Sequence, residues 1–358
     1  MKNGMDDVIA AETLLSHVDG EAGRLILRGH DIENLAGSAP YEDVAGLMWH
    51  DLVPVEVEGT LAAAMGRGRE MAFARFQPFV PLLAGLAPVE AMRLLIAAIP
   101  DDSELARPAA LTGAVGVAAA LAMRIHAGGA PVAPDAEAGH AADLLHMARG
   151  RVVEAREAAA LDAYLVTIAD HGLNASTFTG RIVASTKAGD VSTVIAALCA
   201  LKGPLHGGAP GPVLDMLDAI GTADSATPWL ESALARGERL MGFGHRVYRT
   251  RDPRADTLKK ALRALGGRSE RLDLAEAVER AALKILSGRA DGRRLDVNVE
   301  FYTALLLEAL GLPREGFTPV FAAGRVAGWL AHAAEQGASG RLIRPQSRYV
   351  GPMPERAA

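Results

Sequence analysis

The sequence predicts an all-α fold on three grounds. Half of the 358 residues are hydrophobic but only 4% are aromatic, and alanine is abundant, so we expect a core of small aliphatic side chains on closely packed helices. Apolar residues recur at helical spacing along most of the chain, and the alternation typical of strands is rare. The chain is long enough for one large domain or two.

Individual elements follow in chain order. Residues 23–32, GRLILRGHDI, predict a short strand of the hairpin type, because glycines bound an apolar stretch. The uncharged run 108–123, PAALTGAVGVAAALAM, is shorter than the roughly 20 residues that span a bilayer, so it predicts a buried helix. A helix with an apolar face at 278–286 should end at Ser287, and the helix FYTALLLEALG should end at Gly311.

Composition restricts the function. A net charge of -6 argues against a nucleic-acid-binding protein, which needs basic patches. Cys199 is the only cysteine and no Cys/His spacing resembles a zinc site, so we expect no internal disulfide, no metal, and a reducing cytoplasm. The acidic N-terminus lacks the basic start of a secretory signal, so we expect neither export nor a membrane partner.

Glycine and proline cluster in three segments that also carry ionisable residues. The segments are 203–212, 241–255 and 287–300. Loops held by rigid helices commonly carry chemistry. His206 and His245 stand between glycines in the first two segments, and His171 follows an aspartate at a predicted helix start. Each could be a structural turn histidine, but three in such settings favour a shared site.

Charged residues in apolar surroundings complement these histidines. Arg325 lies within an apolar helix, so it needs an anionic partner, either an internal carboxylate or a carboxylate of the substrate. Arg254 and Arg344 extend this cationic set. Glu300, between two apolar residues, is either a first-turn residue of a helix or a base with a raised pKa. Such a group suits deprotonation of a carbon next to a carbonyl and its addition to a polyanionic acceptor.

These segments, in this order, resemble the citrate synthase family, including its 2-methylcitrate synthase branch. The matching motifs run from AAETLLSHVDGEAGRLILRGHDIENLAG through ADHGLNASTFTGRIVAST, GPLHGGA and GFGHRVYRTRDPRA to NVEFYTALLLEALG and RLIRPQSRYVG. The resemblance implies an almost wholly helical homodimer. Residues 1–206 and 299–358 would form a large domain, and residues 207–298 a smaller mobile domain that closes over the substrates.

The same resemblance implies that the protein condenses acetyl-CoA with oxaloacetate to give citrate and CoA. No cofactor would be bound permanently, and the coenzyme A thioester would be a co-substrate. His206 would donate to the thioester oxygen, Glu300 would remove a methyl proton, and His245 would polarise the ketone.

The remaining site residues divide by substrate. Those that match the family's oxaloacetate ligands are His171, Asn174, Arg254, Arg325 and Arg344. The last of these would reach across from the partner subunit. The candidates for coenzyme A are Gly242, Gly244, Arg246, Arg249 and Arg251. Each of these three arginines could equally be a solvated surface residue.

Glu300 departs from the family pattern, which reads NVDFY where this chain reads NVEFY. One extra methylene moves the carboxylate by roughly 1.5 Å on a fixed backbone, and misplacement near 1 Å can cost about a hundredfold in rate. The alternatives are a 2-methylcitrate synthase that uses propionyl-CoA, a weakly active or non-catalytic paralogue that binds CoA or dicarboxylates, and a citryl-CoA-cleaving enzyme. Residues 88–95, PVEAMRLL, also differ from the His-Pro-Met of many relatives.

Overall fold

A computed structural model describes residues 8–53, 59–207, 210–245, 247–266, 270–287 and 295–354. These residues are mostly helical, which confirms the predicted class. The α-helices are α1 (Ile32–Leu35), α2 (Tyr41–Trp49), α3 (Leu61–Phe76), α4 (Pro88–Ala97), α5 (Pro108–His126), α6 (His140–Arg149), α7 (Ala155–Ile168), α8 (Ala175–Ala184), α9 (Asp190–Leu201), α10 (Pro210–Ile220), α11 (Ala226–Ala235), α12 (Pro253–Ala264), α13 (Glu270–Ser287), α14 (Val299–Ala309) and α15 (Phe317–Ser339). Short 3-10 helices span Gln77–Leu82, Glu104–Ala106 and Arg314–Gly316.

One small antiparallel sheet lies near the N-terminus. Its strands, in the order β1-β2-β3, are β1 (Ser16–Asp19), β2 (Arg24–Leu27) and β3 (His30–Asp31). The chain turns from β2 to β3 at Arg28 and Gly29, with φ of 47° and 88°, as a two-residue hairpin turn requires. The predicted hairpin at 23–32 is therefore confirmed. The sequence did not predict β1, whose residues SHVD include a single apolar side chain.

Helix α5 is a central element of the core. It packs against α3, α4, α6 and α15, and every residue from Leu111 to Met123 is buried, as predicted for the run 108–123. A Cβ on Gly113 would lie 2.4 Å from the carbonyl oxygen of Met65, so this glycine permits the close passage of α3. By length and composition α5 is the one helix of the described residues that could cross a membrane, but 78% of its apolar stretch is buried inside the protein.

Helix α15 carries an arginine into the core beside α7. A Cβ on Gly328 would lie 2.2 Å from the carbonyl oxygen of Ala169, and one on Gly324 would lie 2.7 Å from a side-chain carbon of Ile168. Because neither position carries a side chain, α15 approaches the C-terminal end of α7 closely. Arg325, next to Gly324, donates from Nε to the backbone carbonyl of Ile168.

Helices α12 and α14 complete the framework of the site. Helix α12 packs against both α7 and α14. Asn298 caps the start of helix α14, because its side chain accepts the N–H of Glu300 at 3.0 Å. Gly311, with φ of 72°, follows the end of the helix, as predicted. Helix α13 ends at Ser287, also as predicted. The division into two domains stays a prediction.

Candidate active site

Six of the predicted site residues meet where α7, α8, α12, α14 and α15 approach one another. They are His171, His206, His245, Arg254, Glu300 and Arg325. His171 interacts electrostatically with both arginines and with His245. Glu300 also interacts with both arginines, and His206 interacts with Arg325. The three histidines and Glu300 are partly exposed, whereas both arginines are buried, so the group forms a cleft with cations at its base.

The loop that carries His245 is fixed to the start of α14, which carries Glu300. The N–H of Asn298 donates to the carbonyl of Gly242 at 2.9 Å, and the Asn298 side-chain amide donates to the carbonyl of Gly244 at 2.8 Å. These bonds place the imidazole of His245 and the carboxylate of Glu300 on the same cleft. The sequence did not single out Asn298, although an asparagine just before a helical pattern is an N-cap signal.

The two glycines of this loop have a structural reason to be glycine. Gly242 and Gly244 have φ of 82° and 81°, which favour a residue without a Cβ. A Cβ on Gly242 would also lie 2.8 Å from the ring of Phe301 on α14. Their identity therefore follows from the contact between the loop and α14, and their predicted role toward coenzyme A stays a prediction.

His245 is oriented by its own loop. Its Nδ1 accepts the backbone N–H of Val247 at 3.0 Å and of Tyr248 at 3.1 Å, so the proton of the neutral ring lies on Nε2. Burial and the nearby Arg254 lower the pKa of His245 to about 4, although Asp252 acts in the opposite direction. Arg254 Nη2 lies 3.1 Å from Nε2, so the guanidinium and the imidazole are in direct contact.

Asp252 supports Arg254 and was not predicted. Its carboxylate accepts from Arg254 Nε at 3.0 Å and from Nη2 at 2.8 Å, and both side chains are at most 5% exposed. The same carboxylate accepts the N–H of Val299 at 3.0 Å and the N–H of Arg254 at 3.1 Å. It therefore links α12 to the first turn of α14. The Asp-Pro pair that opens α12 was the available signal, since aspartate before a first-turn proline is typical of an N-cap.

His171 lies on the wall of the cleft next to His245. The centroids of the two rings are 5.6 Å apart in an edge-on arrangement, and His171 Nε2 is 3.2 Å from the hydroxyl of Tyr248. Burial, together with Arg254, His245 and Arg325, holds the pKa of His171 well below its usual range. The ring is therefore neutral at physiological pH.

Asp170 holds the backbone that presents His171. It is fully buried, accepts from the hydroxyl of Ser16 and accepts the N–H of Gly172 at 3.1 Å. His332 Nε2 lies 3.3 Å from the other carboxylate oxygen, and His332 is itself fully buried. Burial by itself would raise the pKa of Asp170, but His332 and Arg325 outweigh it, so the pKa is lowered.

His206 is oriented by Ser176. Its Nε2 lies 2.9 Å from the Ser176 hydroxyl and 3.4 Å from the Ser176 N–H, which can only donate. Trp329 donates to the same hydroxyl at 3.2 Å, and the hydroxyl itself donates to Oδ1 of Asn174 at 2.8 Å. These contacts fix the orientation of the His206 ring. Burial and then Arg325 lower the pKa of His206 to about 4, so this ring is neutral too.

Asn174 lies beside this group and caps α8. Its Oδ1 accepts the N–H groups of Ser176 and Thr177, each at 3.1 Å, and its amide donates to Gly172 and to the Thr177 hydroxyl. The amide hydrogens are thus occupied within the chain. Asn174 fixes the serine that orients His206, and its predicted contact with oxaloacetate stays a prediction.

Arg325 is a charged group in the base of the cleft. Its guanidinium carbon lies 4.8 Å from the ring centroid of Phe321, a cation–π contact. Burial lowers the pKa of Arg325 to about 10, with Arg254 acting in the same direction and Asp170 opposing both. The side chain therefore keeps its charge at neutral pH. Asp170 is the internal carboxylate that partly balances it.

Glu300 has the environment of a base. The residue is partly exposed, but its Oε2 atom is fully buried and has no hydrogen-bond partner among the described residues. Burial raises the pKa of Glu300 to about 7, assisted by Asp252 and opposed by Arg254 and Arg325. Glu300 is therefore a first-turn residue and also a carboxyl group with a raised pKa, and its role as a base stays a prediction.

The predicted coenzyme A arginines lie on the surface or outside the described residues. Arg246 is outside them. Arg249 is exposed, and Arg251, about half exposed, pairs with Glu33 at 2.9 Å and with Asp256. Their predicted role toward coenzyme A is untested.

Arg344 stands apart from the other predicted oxaloacetate ligands. It lies exposed in the non-helical segment that follows α15 and makes no hydrogen bond or ion pair with the described residues of its own chain. No group of three or more His, Cys, Asp or Glu in the described part of the chain could hold a metal ion.

Comparison with known sequences decides the family. The family profile described as "Citrate synthase, C-terminal domain" matches residues 4–346. The citrate synthase of Haloferax volcanii is 36% identical, and the match covers 98% of this chain and 96% of that protein. The chain belongs to the citrate synthase family. A 2-methylcitrate synthase of Mycobacterium tuberculosis is 34% identical, with 98% and 91% covered.

Solved structures of the citrate synthase family share this fold. The citrate synthase of Pyrobaculum aerophilum aligns with a TM-score of 0.86 at 33% identity, covering all of this chain and 94% of that one. The enzyme of Thermoplasma acidophilum, solved as a ternary complex with carboxymethyl coenzyme A and oxaloacetate, aligns with a TM-score of 0.84 at 27% identity, covering 100% and 98%. The family resemblance and the helical fold are thus confirmed.

The buried pair of Asp252 and Arg254 predicts a large loss of stability on substitution. Asp252→Asn leaves the Arg254 charge buried without its counter-ion, and breaking such a pair typically costs about 3–5 kcal/mol in the free energy of unfolding. Arg251→Gln, one residue away, removes an exposed pair and should cost at most about 1 kcal/mol. Urea denaturation of both variants checks this. Equal losses in the free energy of unfolding would show that the buried pair stabilises the fold no more than the exposed one.

Proposed function

We propose that this protein is a citrate synthase that condenses acetyl-CoA with oxaloacetate to give citrate and CoA. The observation that carries the proposal is the carboxyl group of Glu300, whose pKa is raised to about 7, on one cleft with two neutral histidines and two buried arginines. A base, two hydrogen-bond donors and cations for a dicarboxylate are what this condensation requires.

The first step is enolisation of the thioester. Glu300, ionised above its pKa, takes a proton from the methyl carbon of acetyl-CoA. A ring N–H of His206 donates to the thioester oxygen as negative charge develops there, and one such donor is typically worth about 3–4 kcal/mol of transition-state stabilisation. Because the pKa of His206 is about 4, the ring acts as a neutral donor. Its contact with Ser176 holds the ring in place.

The second step is attack of the enol carbon on the ketone of oxaloacetate. Nε2 of His245 and Nη2 of Arg254 lie 3.1 Å apart, and with oxaloacetate bound they would turn to its ketone oxygen and to an adjacent carboxylate oxygen. His245 polarises the carbonyl and gives its proton to the new alkoxide. Arg325 and His171 would hold the remaining oxygens. Water then hydrolyses the citryl-CoA thioester to citrate and CoA.

The arrangement of domains and subunits belongs to this proposal. Residues 207–298 would close over the substrates and exclude water from the enol intermediate. Arg344, exposed at the end of its own chain, would complete the neighbouring site of a homodimer. Arg246, Arg249 and Arg251 would bind the phosphates of coenzyme A, and the protein would work in the cytoplasm.

Thiol release from acetyl-CoA in the presence of oxaloacetate tests the reaction. We expect turnover with acetyl-CoA and a higher kcat/KM than with propionyl-CoA when the two donors compete. A preference for propionyl-CoA would instead favour 2-methylcitrate synthesis, the activity named for the Mycobacterium tuberculosis relative. Failure of both donors at high enzyme concentration, with oxaloacetate still bound in calorimetry, would identify a non-catalytic paralogue. Cleavage of citryl-CoA to acetyl-CoA as the dominant activity would identify a lyase.

The pKa of Glu300 sets the expected pH dependence. Since the base must be ionised, kcat/KM should rise with pH through about 7 and level off above it. The neutral histidines add no limb above pH 5, because the pKa values of His206 and His245 are about 4.

Glu300→Gln should abolish turnover and remove the limb. Glu300→Asp restores the family residue. Because the carboxylate then reaches less far, we expect kcat/KM to change by roughly tenfold or more, in either direction. An unchanged limb in Glu300→Gln would exclude Glu300 as the base.

Light scattering and an Arg344→Leu variant test the dimer. We expect a dimer in which Arg344→Leu raises the KM for oxaloacetate by at least about tenfold, because a charge-assisted contact is lost. Arg348→Leu, an exposed arginine of the same segment, is the matched control and should leave KM unchanged. A fully active monomer would remove the basis for this part of the proposal.

A further inference from the structure

Tyr164, on α7, is a buried polar group that the steps above leave unused. Its side chain is 0% exposed, and its hydroxyl has no hydrogen-bond partner among the described residues. A buried hydroxyl without a partner keeps its full desolvation penalty, so such a group calls for an explanation. Oε2 of Glu300 is the complementary case, a fully buried acceptor that lacks a donor.

The two groups lie on helices that contact each other, α7 and α14, although no hydrogen bond joins them in this structure. These helices pack directly, and α15 closes the same space, with Gly324 against Leu165 of α7. Electrostatic interactions connect the Tyr164 hydroxyl with Glu300 and with Arg325. One unsatisfied donor and one unsatisfied acceptor therefore lie in the same buried region of the site.

We propose that Tyr164 is a positioning residue for Glu300: a rotation of either side chain pairs the two atoms that are unpaired in this structure, so that Oε2 accepts from the tyrosine hydroxyl while Oε1 faces the acyl donor. The inference rests on the proposed function and deepens it, since Tyr164 acts through Glu300 and does not touch substrate. The extra methylene of Glu300 supplies the reach toward α7. An aspartate would keep its oxygens nearer to α14, so Tyr164 is matched to this chain's departure from the family pattern.

The surrounding charges are compatible with this role. The groups that act on Glu300 are Arg254 and Asp252 from the start of α12, and Arg325 from α15. Burial, and then the nearby Glu300, raise the pKa of Tyr164 well above its usual value, so its hydroxyl keeps its proton over the working range. A neutral donor to a carboxylate stabilises the ionised form. Loss of the hydroxyl should therefore make Glu300 harder to ionise.

Tyr164→Phe tests the inference. Infrared titration of the Glu300 carboxyl band, assigned by its loss in Glu300→Gln, should show a pKa raised by roughly one pH unit or more. The acidic limb of kcat/KM should move upward by the same amount, with kcat lowered about tenfold and the KM for oxaloacetate unchanged. Tyr302→Phe is the matched control, because this buried tyrosine of α14 bonds to Glu279 at 2.5 Å, and it should leave the pKa of Glu300 in place.

A second background separates positioning from general damage to the fold. In Glu300→Asp, the further change Tyr164→Phe should have little effect on kcat, because the shorter carboxylate does not reach the hydroxyl. An unchanged or lowered pKa of Glu300 in Tyr164→Phe would overturn the inference, as would equal losses of kcat in both backgrounds. The infrared titration needs no turnover, so it decides the role of Tyr164 even if the assays reject citrate synthesis.

Discussion

The buried carboxylate of Asp252 holds the two chemical ends of the site in register. It neutralises Arg254 on α12 and at the same time accepts the N–H of Val299 at the start of α14. Arg254 contacts His245, and α14 carries Glu300 in its first turn. The geometry at His245 and at Glu300 therefore depends on one ion pair that solvent screens little, because both members are buried.

The balance of charge in the cleft explains why a carboxyl group titrates near neutrality there. Burial alone would favour the protonated acid, and Asp252 adds to that effect, whereas Arg254 and Arg325 favour the carboxylate. The same two arginines and burial keep the histidines neutral. One set of fixed cations thus influences the protonation states of both Glu300 and the histidines.

The replacement of aspartate by Glu300 changes which atoms can meet. A longer side chain on a backbone fixed by Asn298 must place its oxygens further from α14. Its Oε2 and the hydroxyl of Tyr164 are both buried and both lack a hydrogen-bond partner among the described residues. The proposed pairing of these two atoms would involve α7 as well as α14 in the placement of Glu300.

The sequence by itself determined the helical class, the buried run of α5, the ends of α13 and α14, and the three irregular segments that carry His206, His245 and Glu300. These follow from local composition and from the conformational demands of glycine and proline, which need no knowledge of distant contacts. Motif resemblance supplied the family and the roles, which local pattern could not.

Only the tertiary structure decided the supports of the site. Asp252, Asn298 and Ser176 act through partners far away in the chain, which a linear pattern does not record. Likewise, the sequence did not decide whether Glu300 is only a first-turn acid or a carboxyl group with a raised pKa. Its pKa is set by desolvation and by arginines on two other helices, so the answer exists only once α12, α14 and α15 have packed together.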